Sequence, residues 1–178
     1  MTTPLPAPGS TAAALALFDR LEPLHSAALR GRWRGESCPS GHPLDGALEA
    51  YGWYGKRFDG EEAVHPLLFR AAGGRLLAVD PGWLGIGLEL LRQGRVPRAP
   101  WLAGLFRLLL PLLATGRSRA RLRDLACRGK VSATMLYDQL PIHDVFRRVD
   151  ADTLLGMMDL KGMEQPFFFL LRRDVQAG

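Results

Sequence analysis

The chain has 178 residues, of which 47% are apolar, and a net charge of +5. This length suits one ordinary domain, and the apolar share excludes a disordered chain. Two cysteines are too few for a disulfide scaffold, and no secretory signal is apparent at the start, so we expect a reduced cytoplasmic protein.

The chain begins with a segment that predicts a flexible arm followed by a helix. Residues 1–10 are rich in Pro and Ser, which predicts the arm. Apolar residues over 11–30 recur with a period near 3.6, which predicts a helix that Pro23 breaks or bends. A short strand is expected at residues 30–36. Gly and Pro then indicate a loop over residues 38–58, in which residues 44–51 favour a short helix.

The middle of the chain predicts a hairpin and then a helical insertion. Gly73-Gly74 joins apolar runs at residues 65–72 and 75–80, and Gly readily adopts the positive φ angles of tight hairpin turns. Residues 83–93 predict a short helix. Residues 101–115 are intensely apolar but shorter than the roughly 20 residues of a membrane span. We interpret them as helical, either covering the core or touching a membrane surface.

The second half predicts five strands with turn residues about every ten positions, which is typical of an antiparallel meander. The last strand is apolar on both faces, so we expect the N-terminal helix to cover its outer face. With three earlier strands the total is about eight, which suits a barrel that encloses one small ligand or a filled core. We therefore predict a single, mainly β domain over residues 11–178. It is an antiparallel, closed or nearly closed, calycin-like barrel with an N-terminal helix and a helical insertion at about 83–115. The five late strands are residues 120–128, 130–138, 143–149, 153–160 and 167–173.

One group of motifs carries a family resemblance. Gly31-Arg32-Trp33-Arg34-Gly35 reads G-x-W-x-G, and GHPLDG and GWYGKRF follow at residues 41–46 and 52–58. With these motifs the chain resembles the bacterial GXWXG protein family, and residues 135–173 resemble the uncharacterised domain that commonly follows. Together the two cover about residues 29–174. The resemblance implies no established activity.

The G-x-W element is also similar to the first-strand signature of lipocalins and related calycin barrels. That resemblance implies that Trp33 closes one end of the barrel, with Gly31 and Gly35 allowing the chain to bend close to it. It also implies that Arg172 or Arg173 stacks on the Trp33 ring.

The densest polar cluster spans residues 137–144 and joins two predicted strands. This position places Asp138, His143 and Asp144 at one rim of the barrel. A His beside a carboxylate is a general acid/base pair near neutral pH. The alternative is a turn in which Asp138 caps backbone N–H groups.

Further candidates lie within the predicted strands and the Gly-rich loop. Arg147 and Asp159 sit in strands that otherwise look buried, where they either anchor a ligand or form an internal ion pair. Lys56 follows Trp53 and Tyr54. It anchors a carboxylate, forms a Schiff base, or is a surface lysine beside packing aromatics. The complete set of ligand-binding candidates is Trp53, Tyr54, Lys56, Met135, Tyr137, Arg147, Met157 and Phe168.

Basic residues are concentrated in the second half of the chain. Residues 1–90 carry 8 basic against 10 acidic side chains, and residues 91–178 carry 15 against 8. Arg117, Arg119, Arg121 and Arg123 alternate, so on a strand they form one basic stripe. Without interleaved aromatics the stripe is a poor nucleic-acid platform, so no nucleic-acid partner is expected. Peripheral membrane contact through residues 100–123 and a solvated barrel face remain the two interpretations.

The sequence favours a protein that binds a small hydrophobic molecule, such as a fatty acid, isoprenoid or polyketide, inside the barrel. The alternative is an isomerase, cyclase or hydro-lyase on a similar molecule, with Asp138, His143, Asp144 and Asp159 as acid/base groups. Cys38 and His42 are separated by three residues, but no second pair of metal-ligating residues completes a site. No nucleotide-binding motif is present either, so we expect no metal and no cofactor.

Overall fold

The computed structural model of the protein describes residues 8–175, so most of the predicted N-terminal arm lies outside the described residues. Four α-helices and nine β-strands form within that range. The helices are α1 (Thr11–Arg20), α2 (Ala47–Ala50), α3 (Leu88–Arg92) and α4 (Pro100–Leu113). The strands are β1 (Gly31–Ser37), β2 (Trp53–Phe58), β3 (Val64–Arg70), β4 (Leu76–Ala78), β5 (Ala120–Cys127), β6 (Lys130–Tyr137), β7 (Ile142–Arg148), β8 (Thr153–Leu160) and β9 (Phe167–Arg173).

Eight of the strands close into a ring of hydrogen-bonded neighbours. Their order is β2-β1-β9-β8-β7-β6-β5-β3, and pairing of β2 with β3 completes the ring. Each pairing is antiparallel, and β4 extends the sheet only from β3. The narrowest seam joins β3 to β5, where Val64 pairs with Ala120 and its N–H donates to Ser118 Oγ. The predicted mainly β, antiparallel barrel is therefore confirmed.

Residues 53–58 form strand β2, whereas the sequence predicts a loop over residues 38–58, so that prediction is wrong for this segment. The register of β2 against β3 shifts on both sides of Gly55, which has a φ of +148°. A side chain there would lie 2.0 Å from the Trp33 carbonyl oxygen, so only Gly fits. Because β2 belongs to the ring and β4 does not, the eight strands of the barrel differ from the predicted eight by one.

Helix α1 covers the outer face of β7, β8 and β9, as predicted from the doubly apolar last strand. The Phe18 ring packs edge-on against Phe168 at 6.1 Å, and both lie in a cluster outside the barrel. Ser10 Oγ caps the helix by accepting from the Ala13 N–H. The helix ends at Arg20, shorter than the predicted segment, and a 3-10 turn follows at Ser26–Ala28.

Trp33 is 1% exposed and lies in the interior cluster near the start of β1. Its indole N–H donates to the Arg30 carbonyl oxygen. The Arg173 guanidinium lies 4.4 Å from the Trp33 ring centroid, so the predicted arginine stack is confirmed with Arg173. Arg172 instead pairs with Glu36 at 2.8 Å.

The predicted helical insertion forms a cap over one end of the barrel. It consists of a 3-10 segment at Pro81–Gly87 followed by α3 and α4. Leu91, Val96 and Phe106 from this cap pack against the interior cluster, and Leu110 is fully buried in it. Of the two expected roles, covering the core is the one that the fold shows. Among residues 8–175, no helix has the length and apolar character needed to traverse a bilayer.

Candidate functional site

The barrel contains a cavity of about 250 Å³ at the end that the helical cap covers. Barrel strands form its walls, and α2, its flanking loops and the cap close it. Nearly all of the lining is apolar or aromatic. The lining residues from the strands are Trp53, Lys56, Leu67, Phe69, Tyr137, Ile142, Asp144, Met158, Phe167 and Phe169, and those from the covering segments are Leu44, Ala47, Leu48, Tyr51, Leu84, Leu91, Val96 and Phe106.

Two charged side chains meet in this apolar lining. Lys56 Nζ from β2 lies 2.8 Å from Asp144 Oδ2 of β7. The Lys56 side chain is 3% exposed and that of Asp144 is 1% exposed. Such a pair is withdrawn from water, so each charge depends on the other for compensation.

The irregularity at Gly55 turns Lys56 into the barrel. In a regular strand, residues three positions apart point to opposite faces. Trp53 and Lys56 both line the cavity, because the shifted register between them changes the alternation.

Aromatic rings and one carbonyl surround the Lys56 ammonium group. It lies 5.0 Å from the ring centroid of Phe169 and 5.7 Å from those of Trp53 and Tyr137. It also donates to the Pro66 carbonyl oxygen at 3.2 Å. Ring faces and a carbonyl oxygen stabilise a cation, so they supplement the Asp144 counterion at the buried Lys56 ammonium group.

Asp144 has one oxygen without a protein partner. Oδ2 accepts from Lys56, but the buried Oδ1 has no hydrogen bond within the described chain. Burial raises the pKa of Asp144, and the Lys56 charge partly opposes that rise. Buried polar atoms are usually paired, so an orphan acceptor at a cavity wall indicates a place for a ligand donor.

Two further polar groups border the cavity. The Tyr137 hydroxyl lies 3.5 Å from Lys56 Nζ, and burial followed by the Asp144 charge raises its pKa well above the usual value. The Trp53 indole N–H is buried and has no acceptor within residues 8–175. Two side chains in the lining therefore carry a buried polar atom without a partner among the described residues: the acceptor Asp144 Oδ1 and the donor Trp53 Nε1.

The structure thus brings together four of the predicted site residues: Trp53, Lys56, Tyr137 and Asp144. Met135 is fully buried in the interior cluster but does not line the cavity.

Other ligand-binding candidates lie outside the lumen. Tyr54 donates to the Asp174 carboxylate. Met157 and Phe168 belong to the cluster under α1. The Arg147 guanidinium lies 4.8 Å from the Phe18 ring centroid and donates to the Cys127 carbonyl. These four side chains do not contact the cavity.

The three other acid/base candidates are not brought to the cavity either. Asp138 pairs with Arg121 at 2.7 Å at the rim. His143 and Asp159 are exposed and lie opposite one another on β7 and β8. Of the predicted acid/base set, Asp144 alone lines the cavity.

The predicted basic stripe is mostly neutralised by carboxylates. Arg119 pairs with Asp80 at 2.5 Å, Arg121 with Asp138 at 2.7 Å and Arg123 with Glu62 at 2.5 Å. Among the described ion pairs none involves Arg117, so the stripe does not act as one free cationic surface.

The fold and the site define a closed antiparallel barrel with a capped apolar cavity and a buried ion pair. The chain belongs to the GXWXG family: the model described as GXWXG protein matches residues 16–74, and a domain of unknown function, DUF4334, matches residues 118–173. It is similar to a solved structure, the crystal structure of a protein from Thermomonospora curvata, with 34% identity and a TM-score of 0.67. That match covers 92% of this chain and 86% of the other. A comparison with curated proteins finds no match.

The two family segments build one barrel and one site. The first contributes β1 to β3 and the second β5 to β9, and β1 pairs with β9. Lys56 comes from the first segment and Asp144 from the second, so neither segment alone carries the ion pair.

Proposed function

We propose that the protein binds a small, mainly apolar molecule in the capped cavity, with one polar group of that molecule beside Lys56 and Asp144. The observation that supports this most strongly is the buried ion pair in the lining of an otherwise apolar cavity. Binding sites of this kind combine apolar walls with a few placed polar groups. Pockets for drug-sized ligands span about 300–1,000 Å³. The smaller volume here favours a compact ring compound or a short chain over a long fatty acid.

The charges in the cavity favour a neutral ligand. Lys56 and Asp144 already compensate each other, so a ligand carboxylate would add an unpaired negative charge in a region buried from bulk solvent. A hydroxyl group matches the two unpaired atoms, because it donates to Asp144 Oδ1 and accepts from the Trp53 N–H. We therefore favour a hydroxyl-bearing apolar molecule over the fatty acid that the sequence analysis included.

Three probes of one shape test this proposal: naphthol, naphthalene and naphthoate, titrated into the protein by calorimetry. Naphthol should bind about tenfold or more tighter than naphthalene, because a hydrogen bond to a charged group contributes about 1.5–3 kcal/mol. Naphthoate should bind most weakly. Absence of saturable binding by all three, or tightest binding by naphthoate, would contradict the proposal.

A variant that fills the cavity locates the binding. Ala47 lines the cavity and is 4% exposed, so Ala47→Phe places a ring in the ligand space. Gly104→Ala on α4 is the matched control, since an added Cβ there meets open space. Naphthol binding should be lost in the first variant and kept in the second. Equal binding by both would place the probe elsewhere.

A second candidate function is acid/base catalysis on a ketone of similar size in the same cavity. The observation that favours it is Asp144 with a free oxygen and a raised pKa beside Lys56 and the Tyr137 hydroxyl. A carboxylate with a raised pKa is a stronger base. When a ketone is bound, Asp144 would accept a proton from the carbon next to its carbonyl group, while Lys56 stabilises the enolate oxygen. The protonated Asp144 carboxyl then returns a proton to a carbon of the enolate, and in D₂O exchange of the carboxyl proton with solvent before this step places deuterium in the ketone.

Hydrogen–deuterium exchange into tetralone, a ketone of naphthalene size, separates the two functions. Catalysis predicts exchange in D₂O that depends on the protein and is lost in Asp144→Asn. Tetralone that binds without exchange above the buffer rate would support a binding protein and contradict catalysis on ketones.

A further inference from the structure

Helix α4 is apolar on both its inward and outward faces. Ala103, Phe106 and Leu110 point into the protein. The opposite face presents Trp101, Leu105, Leu108 and Leu112, which follow one another at spacings of four, three and four residues. That spacing places all four on one helix face, here called the outward row.

The outward row is strongly exposed. The four side chains are 69%, 45%, 73% and 77% exposed, respectively. A helix that is apolar all round normally lies within a protein or a membrane, and a contiguous apolar patch marks an interaction surface. In the cap that α4 belongs to, Trp83 and Leu90 are also more than two-fifths exposed.

Uncompensated positive charge surrounds this row. No acidic residue occurs between residues 90 and 123. Arg95 and Arg98 precede α4, Arg107 lies on it and Arg117 follows it, and all four are exposed. None of them takes part in an ion pair with a described residue. The patch is therefore apolar at its centre and cationic at both ends.

We infer that the outward row of α4 docks onto an anionic lipid bilayer. Trp and Leu side chains enter the headgroup boundary while the flanking arginines attract anionic headgroups. The helix is about 21 Å long, which suits a helix lying in the plane of the interface better than one crossing about 30 Å of hydrocarbon. A second copy of the chain fits less well, because a two-fold contact over α4 would bring the same arginines together.

Co-sedimentation of the full chain with vesicles tests the docking. The protein should bind vesicles that contain phosphatidylglycerol mixed into phosphatidylcholine, and bind phosphatidylcholine vesicles only weakly. The double variant Leu108→Gln/Leu112→Gln should lower the partition coefficient about tenfold or more, because it removes two leucines from the interface. Leu125→Gln/Val131→Gln is the matched control, since it replaces exposed apolar side chains on β5 and β6 and should leave binding unchanged.

Charge variants test the choice of an anionic surface. Arg95→Gln and Arg117→Gln should each weaken binding to the anionic vesicles about fivefold. Arg20→Gln and Arg148→Gln, which change exposed arginines on α1 and β7, should have little effect. Circular dichroism checks that each variant is folded.

Three outcomes would overturn the docking inference. They are equal binding to neutral and anionic vesicles, no vesicle binding at all, and a dimer in light scattering that Leu108→Gln/Leu112→Gln dissociates while vesicles stay unbound. None of these results depends on a ligand in the cavity, so docking and ligand binding fail separately.

Discussion

Lys56 and Asp144 meet at 2.8 Å inside the barrel, although they lie in different halves of the chain. Each comes from a different family segment, β2 in the first and β7 in the second. The pair can form only when the ring of strands has closed. It therefore links completion of the fold to completion of the site.

Removal of one charge should cost much more stability than removal of both. Lys56→Met leaves the buried Asp144 carboxylate unpaired, which costs about 3–5 kcal/mol of unfolding free energy, and Asp144→Leu does the same to Lys56. The double variant Lys56→Met/Asp144→Leu should recover most of this loss, because no charge remains in the lumen. Urea denaturation measures all three.

The exposed pair of Arg121 and Asp138, separated by a similar distance of 2.7 Å, is the control for that cycle. Replacing either member should change the unfolding free energy by no more than about 1 kcal/mol, since water screens the charges. If the single Lys56 and Asp144 variants lowered the unfolding free energy by only about 1 kcal/mol as well, the two buried charges would not depend on each other for compensation.

Asp144→Asn should reverse the charge preference of the cavity. It leaves Lys56 without its counterion, so an anionic ligand would supply the missing charge. We expect naphthoate to gain about tenfold or more over naphthol relative to the natural protein, as measured by calorimetry. Asp138→Asn at the exposed rim should leave the ratio unchanged. An unaltered ratio in Asp144→Asn would mean that the polar end of the ligand lies away from the ion pair.

Gly35→Ala should disturb the cavity through Trp53. A Cβ at residue 35 would lie 2.1 Å from the Trp53 ring, so that ring must move. Overpacking of this kind costs about 1–3 kcal/mol, and naphthol affinity should fall because Trp53 lines the cavity. Gly104→Ala, which adds a methyl group to open space on α4, should instead be neutral or stabilise by up to about 1 kcal/mol. If Gly35→Ala changed stability and naphthol affinity no more than Gly104→Ala does, residue 35 would not control the position of the Trp53 ring.

The stability of the protein should fall at alkaline pH in part through Cys38. Cys38 and Cys127 are free thiols, and burial raises the pKa of Cys38 to about 11. The thiol in the unfolded chain has a pKa of about 8.5, so the unfolded chain loses its proton first as the pH rises. The contribution of Cys38 is therefore complete below about pH 8.5 and is lost as pH rises towards 11.

Urea midpoints measured across that range give the check. Cys38→Ala should reduce the loss of stability between about pH 8.5 and 11. In Cys127→Ala the loss that Cys38 causes should remain. A decline of the same slope with and without Cys38 would show that the thiol does not contribute.

Most strands could be predicted because their alternation and their turns are local signals. β8 and β9 begin and end where the sequence predicts. Strand β2 could not be predicted in this way. Its bulge at Gly55 breaks the period of two that marks a strand, and Gly52 and Gly55 look like loop residues. The same bulge turns Lys56 inward, so the missed strand and the inward position of Lys56 have one cause.

The sequence alone could not distinguish the inward face of β7 from its outward face. Asp144 and Phe146 face the lumen, whereas Val145 and Arg147 face α1. Because α1 buries the outer face, the side chains on both faces of β7 are mainly apolar, and their alternation does not show which face points into the barrel. For the same reason Met157 was predicted at the cavity, while its neighbour Met158 lines it. The pairing of Lys56 with Asp144 depends on closure of the ring and has no local signal at all.

A crystal structure of the protein soaked with naphthol tests the central claim most directly. We expect one naphthol molecule in the capped cavity, with its hydroxyl oxygen within hydrogen-bond distance of Asp144 Oδ1 and its rings among the aromatic side chains that surround Lys56. Naphthol bound only on the outside of the barrel, or a cavity that stays closed to it at saturating concentration, would contradict the account.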